Sequence, residues 1–374
     1  MDIKQNVKIA TQNSMQYIKS KINDITINKL FNYKVVPANE DKGFNFPYIL
    51  VVPKQLPYNV KMIVECANSV DYEREDKQDL KSQIDEAENY AKYICVKQDG
   101  ERFNLPYLYQ QLNQPIVIPV IRRCEYERVG ELKSDEAYQL FDELDKNTEF
   151  YPQQLGRQVV LEKTGEFADV PKQVISMLED AKQRIKAIAK RRNQEIEISK
   201  KSGLAGWSSS AVFASRMQLL CYEYFDLCMA FASGGVQPLP LVEYNGQKLY
   251  YPLGVADYKE ITGKDFDEEE YAQAKQISVI GSMEHSKYDI AHNQRLFDKQ
   301  IRELFEATYN NANMWDRQRM IAKILHDNGY DNINCVILEN EGHKSYSSIN
   351  NIKLIEQWLQ NNAINQDNVK ILLN

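Results

Sequence analysis

Ser202-Gly203-Leu204-Ala205-Gly206-Trp207-Ser208-Ser209-Ser210-Ala211-Val212-Phe213 is the stretch that decides how this chain is read. A short apolar run meets a small residue, a bulky aromatic, a serine and more small residues. A helix-like pattern carrying Phe213, Met217, Leu220 and Tyr224 follows. A serine at a tight strand-to-helix turn projects its hydroxyl from the carboxyl edge of a sheet. The residues two before and two after it must be small, because strand and helix backbones nearly touch there. Gly206 and Ser210 meet that need around Ser208, with Ser210 standing where the usual pattern has glycine. Serine-rich turns also cap helices, the hydroxyl accepting from first-turn amides, so the local pattern leaves a capping reading open beside a catalytic one.

Outward from this stretch the chain alternates strand and helix signals. Residues 30–36 and 46–52 are rich in aromatic and β-branched residues and are separated by the turn-forming Asn39-Glu40-Asp41-Lys42-Gly43, which predicts an antiparallel hairpin at a sheet edge. Runs 60–65 and 116–121 read as buried strands. Between them, residues 75–93 place Leu80, Ile84, Ala87 and Ala91 at helical intervals. Pro171 opens a long helix that ends in Lys190-Arg191-Arg192, cations that complement its carboxyl end. Beyond the serine, residues 227–232, 276–281 and 334–338 are further strands, the last of them closing the sheet. Asn245-Gly246 marks a hairpin, residues 294–328 form a long helical stretch, and 349–361 form a final amphipathic helix. Strand, helix and strand in alternation predict an α/β architecture with a mostly parallel central sheet and helices on both faces. Residues 1–25 read as an N-terminal helical extension, with the helix at 7–22. The remaining 26–374 read as one domain carrying an inserted cap or loop region at about 124–170.

Composition narrows the function classes. A net charge of −7 gives no general attraction to nucleic acid or anionic lipid. No run is long and apolar enough to span a bilayer and the amino terminus lacks a continuous apolar region, so a cytoplasmic location is expected. The six cysteines are scattered through apolar runs, as reduced buried thiols are, rather than paired for disulfides or zinc.

A serine nucleophile needs a base within hydrogen-bond reach and an acid that orients the base. In an α/β-hydrolase these follow later in the chain in the order serine, acid, histidine. Of the four histidines, His326 falls inside a helix, His292 follows no strand, and His285 adjoins Glu284. His343 stands in a Gly-His step after the strand at 334–338, where a base belongs. Glu284 follows the strand ending at Gly281 and supplies the acid, with Asp289 a few residues farther along as the alternative. The oxyanion would be held by the Ser209 amide and by a donor from the Cys66-Ala67-Asn68 loop, Ala67 or Asn68. The His285 and His292 spacing matches no recognised metal-binding pair, so neither metal nor cofactor is expected.

The run from Gly206 to Arg216 resembles the Gly-Phe-Ser-Ala-Ser-Gly…Phe…Asn-Arg segment of bacterial α/β-hydrolases of the poly(hydroxyalkanoate) depolymerase-like and feruloyl-esterase-like kind. Ser233-Gly234-Gly235 with Pro238-Leu239-Pro240, Tyr251-Pro252-Leu253-Gly254 with Asp257, and Thr262-Gly263-Lys264 are similar to further blocks of that group. The resemblance runs with gaps from about Pro47 to the final helix. It implies an α/β-hydrolase fold and an esterase activity on a small-molecule ester or acyl substrate. It also implies a nucleophile at Ser208 and a base at His343, with the acid at Glu284, where the group usually has aspartate. The expected activity is therefore a Ser-His-Glu carboxylic ester hydrolase. A peptidase or amidase using the same residues, or an inactive scaffold serving as a binding module, are the alternatives.

Overall fold

The structure, a computed structural model, describes residues 31–67, 84–85, 87–91, 112–122, 124–125, 149–150, 154–285, 299–344, 348–360 and 369–371. Its core is a nine-stranded sheet of β1 (Phe31–Val36), β2 (Tyr48–Pro53), β3 (Ile63–Val64), β4 (Ile116–Pro119), β5 (Ser202–Trp207), β6 (Phe225–Phe231), β7 (Lys275–Gly281), β8 (Ile333–Leu338) and β9 (Val369–Ile371). The order across the sheet is β1-β2-β4-β3-β5-β6-β7-β8-β9. From β4 through β8 every neighbouring pair is parallel, while β1, β2 and β9 run antiparallel to their neighbours. This is the mostly parallel α/β architecture expected from the alternation of elements, and the α/β-hydrolase fold that the resemblance implies.

The sheet buries both faces, and the alternation of side chains along its strands sorts the core into two layers. Leu50, Val64, Val117, Leu204, Cys228 and Cys335 pack on one face against α1 (Val170–Arg191), α2 (Ser209–Leu220), α3 (Lys299–Tyr309) and α4 (Met314–Asp327). Ile49, Ile63, Ile116, Ala205, Met229, Ile277 and Val336 pack on the other. There they meet Ala87 and Ala91 and the Leu354, Ile355 and Trp358 stripe of α5 (Ile349–Leu359). The expected hairpin is present, with Phe31 opposite Pro53 and Val36 opposite Tyr48. So is the Asn245-Gly246 turn, with both residues at positive φ between Glu243–Tyr244 and Gln247–Lys248.

Three expectations change. The run 60–65 is not one strand: Asn59–Val60 pairs with Glu197–Ile198 outside the main sheet, and only Ile63–Val64 joins it. Lys61 lies at the break, where its Nζ bonds Asp226 at 2.6 Å and its N–H donates to Gln114 Oε1 at 2.8 Å. An ammonium is not placed in an apolar core, and Lys61 sits where the chain leaves the sheet, its side chain partly exposed and paired with Asp226. The stretch 294–328 holds two helices, because Asn310 and Asn311 take left-handed conformations and Asn313 caps α4, accepting from the Trp315 and Asp316 amides. The sheet also gains a final antiparallel strand, β9, beyond β8. The helix at 7–22 and most of those at 75–93 and of the 124–170 insertion lie outside the described residues. What is described there includes the helical pieces 84–85 and 87–91, a two-residue pairing of Cys124–Glu125 with Glu149–Phe150, and the short helix Arg157–Leu161. Among the described residues no helix is long and apolar enough to cross a membrane.

Candidate active site

β5 ends at Trp207 and α2 begins at Ser209, leaving Ser208 alone at the corner with φ 58° and ψ −120°. A side-chain-bearing residue in that region is strained by about 1–3 kcal/mol and persists only where its surroundings over-determine it. Here the Ser208 N–H donates to Phe231 O at 2.8 Å, and its carbonyl accepts from the amides of Ala211 and Val212 at 3.0 and 3.3 Å. Its side chain makes no capping bond, so helix capping does not account for it. Gly206 is dictated by contact: a Cβ there would sit 2.0 Å from Ser210 O and 2.2 Å from Ser210 C. The departure at Ser210 also has a role. Its buried hydroxyl accepts from the Trp207 N–H at 2.8 Å and donates to the Trp207 carbonyl at 2.9 Å, tying the end of the strand to the first turn of the helix.

The loops after β7 and β8 bring the other two residues to this corner. Glu284 is 3% exposed. Its Oε1 accepts from the Gly281 N–H at 2.8 Å and its Oε2 lies 2.8 Å from His343 Nδ1. An ionised carboxylate only accepts, which assigns the ring proton to Nδ1 and leaves Nε2 as the basic nitrogen of the neutral ring. Nε2 is 3.0 Å from Ser208 Oγ. Trp207 packs on the imidazole, ring centres 5.2 Å apart.

The two loops are strapped to each other. Met283 N–H donates to Glu341 O at 2.8 Å, Asn340 N–H to Ser282 Oγ at 2.9 Å, and Ser282 N–H to Leu338 O at 3.0 Å. Their backbones lie so close that a Cβ on Gly281 would fall 2.2 Å from Glu341 O. Trp315, at the start of α4, adds a brace by donating its indole N–H to Gly281 O at 2.9 Å.

Ser209 opens α2, where first-turn amides have no intrahelical acceptor. The Ala67 N–H donates to Pro119 O at 2.9 Å, which removes it as an oxyanion donor; pairing at the sheet end has claimed it. Asn68, Asp289 and His292 lie outside the described residues. His285 is exposed beside Glu284, and His326 sits on α4 with Nδ1 3.0 Å from Asp331 Oδ1, a surface pair remote in role from Ser208. Cys66, Cys221, Cys228 and Cys335 are buried free thiols, and burial pushes Cys335 up to about 12. Sequence reasoning missed Trp315 and also Gln154, whose Nε2 donates to Ser209 Oγ at 2.6 Å. Both act across long separations and carry no local motif.

No family model and no curated protein matches the chain. Among solved structures it is similar to the poly(aspartic acid) hydrolase-1 of Sphingomonas sp. KT-1, at 12% identity over 88% of this chain and 97% of that one, with a TM-score of 0.44. It is also similar to the poly(3-hydroxybutyrate) depolymerase of Bordetella parapertussis, at 12% identity over 90% and 92%, TM-score 0.46. The siderophore hydrolase of Aspergillus nidulans is a third such structure, at 10% identity over 88% and 93%, TM-score 0.37.

Proposed function

We propose that the protein is a serine hydrolase that cleaves carboxylic esters through an acyl-enzyme. One observation carries the reading: Glu284, His343 and Ser208 form a continuous hydrogen-bonded chain, 2.8 and 3.0 Å per link, ending on a serine held at a strained strand-to-helix corner. That arrangement supports reading Ser208 as the serine of a nucleophile elbow, with His343 as base and Glu284 as acid.

Ser208 Oγ attacks the acyl carbon while His343 Nε2 takes its proton. Glu284 holds the Nδ1–H and stabilises the imidazolium that forms. The tetrahedral oxyanion is met by the Ser209 N–H and by a second amide from the loop after β3, for which Asn68 is the candidate now that Ala67 is engaged. Collapse expels the alcohol, which receives the proton from His343. Water, deprotonated by the same nitrogen, then releases the acid. The scheme calls on no cofactor. The short Ser208 to His343 distance supports catalysis over a binding scaffold, for which a remote histidine would be the mark.

Labelling with a fluorophosphonate probe tests the assignment. Wild type is expected to label and Ser208→Ala to resist; an unlabelled wild type, or equal labelling of both, overturns it. Amides pass through the same tetrahedral intermediate, so turnover of p-nitrophenyl acyl esters against peptide amides separates an esterase from an amidase.

A further inference from the structure

Trp315 stands on the first turn of α4 and reaches the acid loop through one atom, the indole Nε1, which donates to Gly281 O at 2.9 Å. Gly281 is the root of that loop. Its carbonyl also accepts from the Glu284 N–H at 3.2 Å, closing the turn Gly281-Ser282-Met283-Glu284, and its N–H donates to Glu284 Oε1 at 2.8 Å. A carbonyl oxygen has two lone pairs, and here one serves the turn while the other serves Trp315. The Gly281 N–H in turn decides which carboxylate oxygen is left for the base. With Oε1 held there, Oε2 is the one that meets His343 Nδ1 at 2.8 Å.

The donor is carried on a fixed support. The Trp315 backbone N–H is capped by Asn313 Oδ1 at 3.1 Å. Two residues on, the buried Arg317 lies over the Phe305 ring; its Nε and Nη2 donate to Gly235 O at 2.7 Å and Gly234 O at 3.0 Å, in the loop after β6, and its Nη1 to Ala312 O at 2.7 Å. Gln318 Nε2 donates to Ser278 O at 3.0 Å, inside β7. Gly235 packs so closely on the start of the helix that a Cβ there would fall 2.7 Å from Met314 O. The first two turns of α4 are thus held to the sheet by groups other than Gly281, and Trp315 presents its N–H to the acid loop from a position that the loop does not set.

We propose that Trp315 is a positioning residue for Glu284: its indole N–H fixes the carbonyl at the root of the acid loop, and through it the carboxylate that orients His343. The proposal rests on the serine-hydrolase reading and deepens it. Trp315 acts through Glu284 and not on the substrate, so its loss is felt in kcat rather than in KM, and only while Glu284 is there to be misplaced. A residue that merely holds the fold together would lower the rate whether or not the acid is present.

The experiment is a double-mutant cycle on Trp315→Phe, which keeps an aromatic ring and removes the donor, and Glu284→Ala. With p-nitrophenyl butyrate, Trp315→Phe alone is expected to lower kcat by about tenfold or more with KM within about twofold of wild type, because a small misplacement of a catalytic group costs rate rather than binding. With the fluorophosphonate, whose single phosphonylation event stays measurable in a slow enzyme, the same substitution is expected to slow wild type by a similar factor and the Glu284→Ala protein by less than about twofold. 3-Benzothienylalanine at position 315, where sulfur replaces the N–H in a ring of indole shape, serves where the phenylalanine variant does not fold. A kcat loss under about threefold, a loss carried by KM, or equal slowing with and without Glu284 overturns the role of Trp315. Failure of the underlying reading looks different: wild type then neither hydrolyses the ester nor takes the label.

Discussion

Replacing Glu284 by glutamine changes one atom and reverses the polarity of the whole hydrogen-bonded chain. Glu284 accepts twice, from the backbone N–H of Gly281 and from His343 Nδ1, each at 2.8 Å. A glutamine can accept with only one of its two terminal atoms. The Gly281 N–H cannot change its role, so the amide oxygen must stay there and the NH2 must face Nδ1. Nδ1 then accepts, the neutral ring carries its proton on Nε2, and that nitrogen donates to Ser208 Oγ across the 3.0 Å contact instead of receiving from it. The base is lost at neutral pH with every heavy atom in place. An amide at this position of a triad lowers kcat by about 10⁴, or about 5.5 kcal/mol in the barrier. Glu284→Asp fails by a different route, since one methylene of about 1.5 Å withdraws the carboxylate from hydrogen-bond distance. The assay is p-nitrophenyl butyrate hydrolysis, with protein integrity checked by circular dichroism. A folded Glu284→Gln enzyme that keeps more than about a tenth of wild-type kcat would refute the reasoning and assign orientation of His343 to another group.

Ser210→Gly restores the glycine of the related pattern and is nevertheless expected to destabilise. It removes two buried bonds to Trp207, each contributing about 1 kcal/mol, and adds a glycine to a helix at about 1 kcal/mol, so urea unfolding should show a loss of about 2–3 kcal/mol. An unchanged unfolding midpoint would show that the hydroxyl is dispensable. Glu65, at the carboxyl end of β3, has an enclosed Oε2 without a donor among the described residues, and burial pushes its carboxyl from an ordinary 4.5 up to about 8. The folded state then holds the proton more tightly than the unfolded chain. Stability present below about pH 4.5 is lost as pH rises to about 8, by up to about 5 kcal/mol at 1.36 kcal/mol per unit. Melting temperature should therefore fall between pH 5 and 9 more steeply in wild type than in Glu65→Gln, and parallel curves would argue against a neutral Glu65.

The readable parts of this chain were those whose causes are local. Steric crowding writes Gly206 and Ser210 around Ser208 directly into the sequence, and Asn245-Gly246 reads as a hairpin because both residues must take positive φ. Glu284 and His343 were legible as the residues that follow strands in the order serine, acid, base, and the structure brings them together with Ser208. Non-local causes were not legible. Nothing near Lys61 announces that Asp226 will pair with it at a break in the strand, and nothing near Ala67 announces that Pro119 claims its amide. Gln154 and Trp315 reach their partners across 55 and 34 residues, a choice made by tertiary packing alone.

The bonds between the loop after β7 and the loop after β8 change what can go wrong at this site. Met283 and Ser282 are joined to Glu341 and Leu338 by backbone bonds, Asn340 N–H reaches the Ser282 hydroxyl, and Gly281 leaves no room between the two loops. Glu284 and His343 are therefore held to each other, and the pairing of β7 with β6 and of β6 with β5 ties both to the strand that delivers Ser208. The spacing of the three side chains is set by strand registers, so a change that loosens either loop is felt at Glu284 and His343 together.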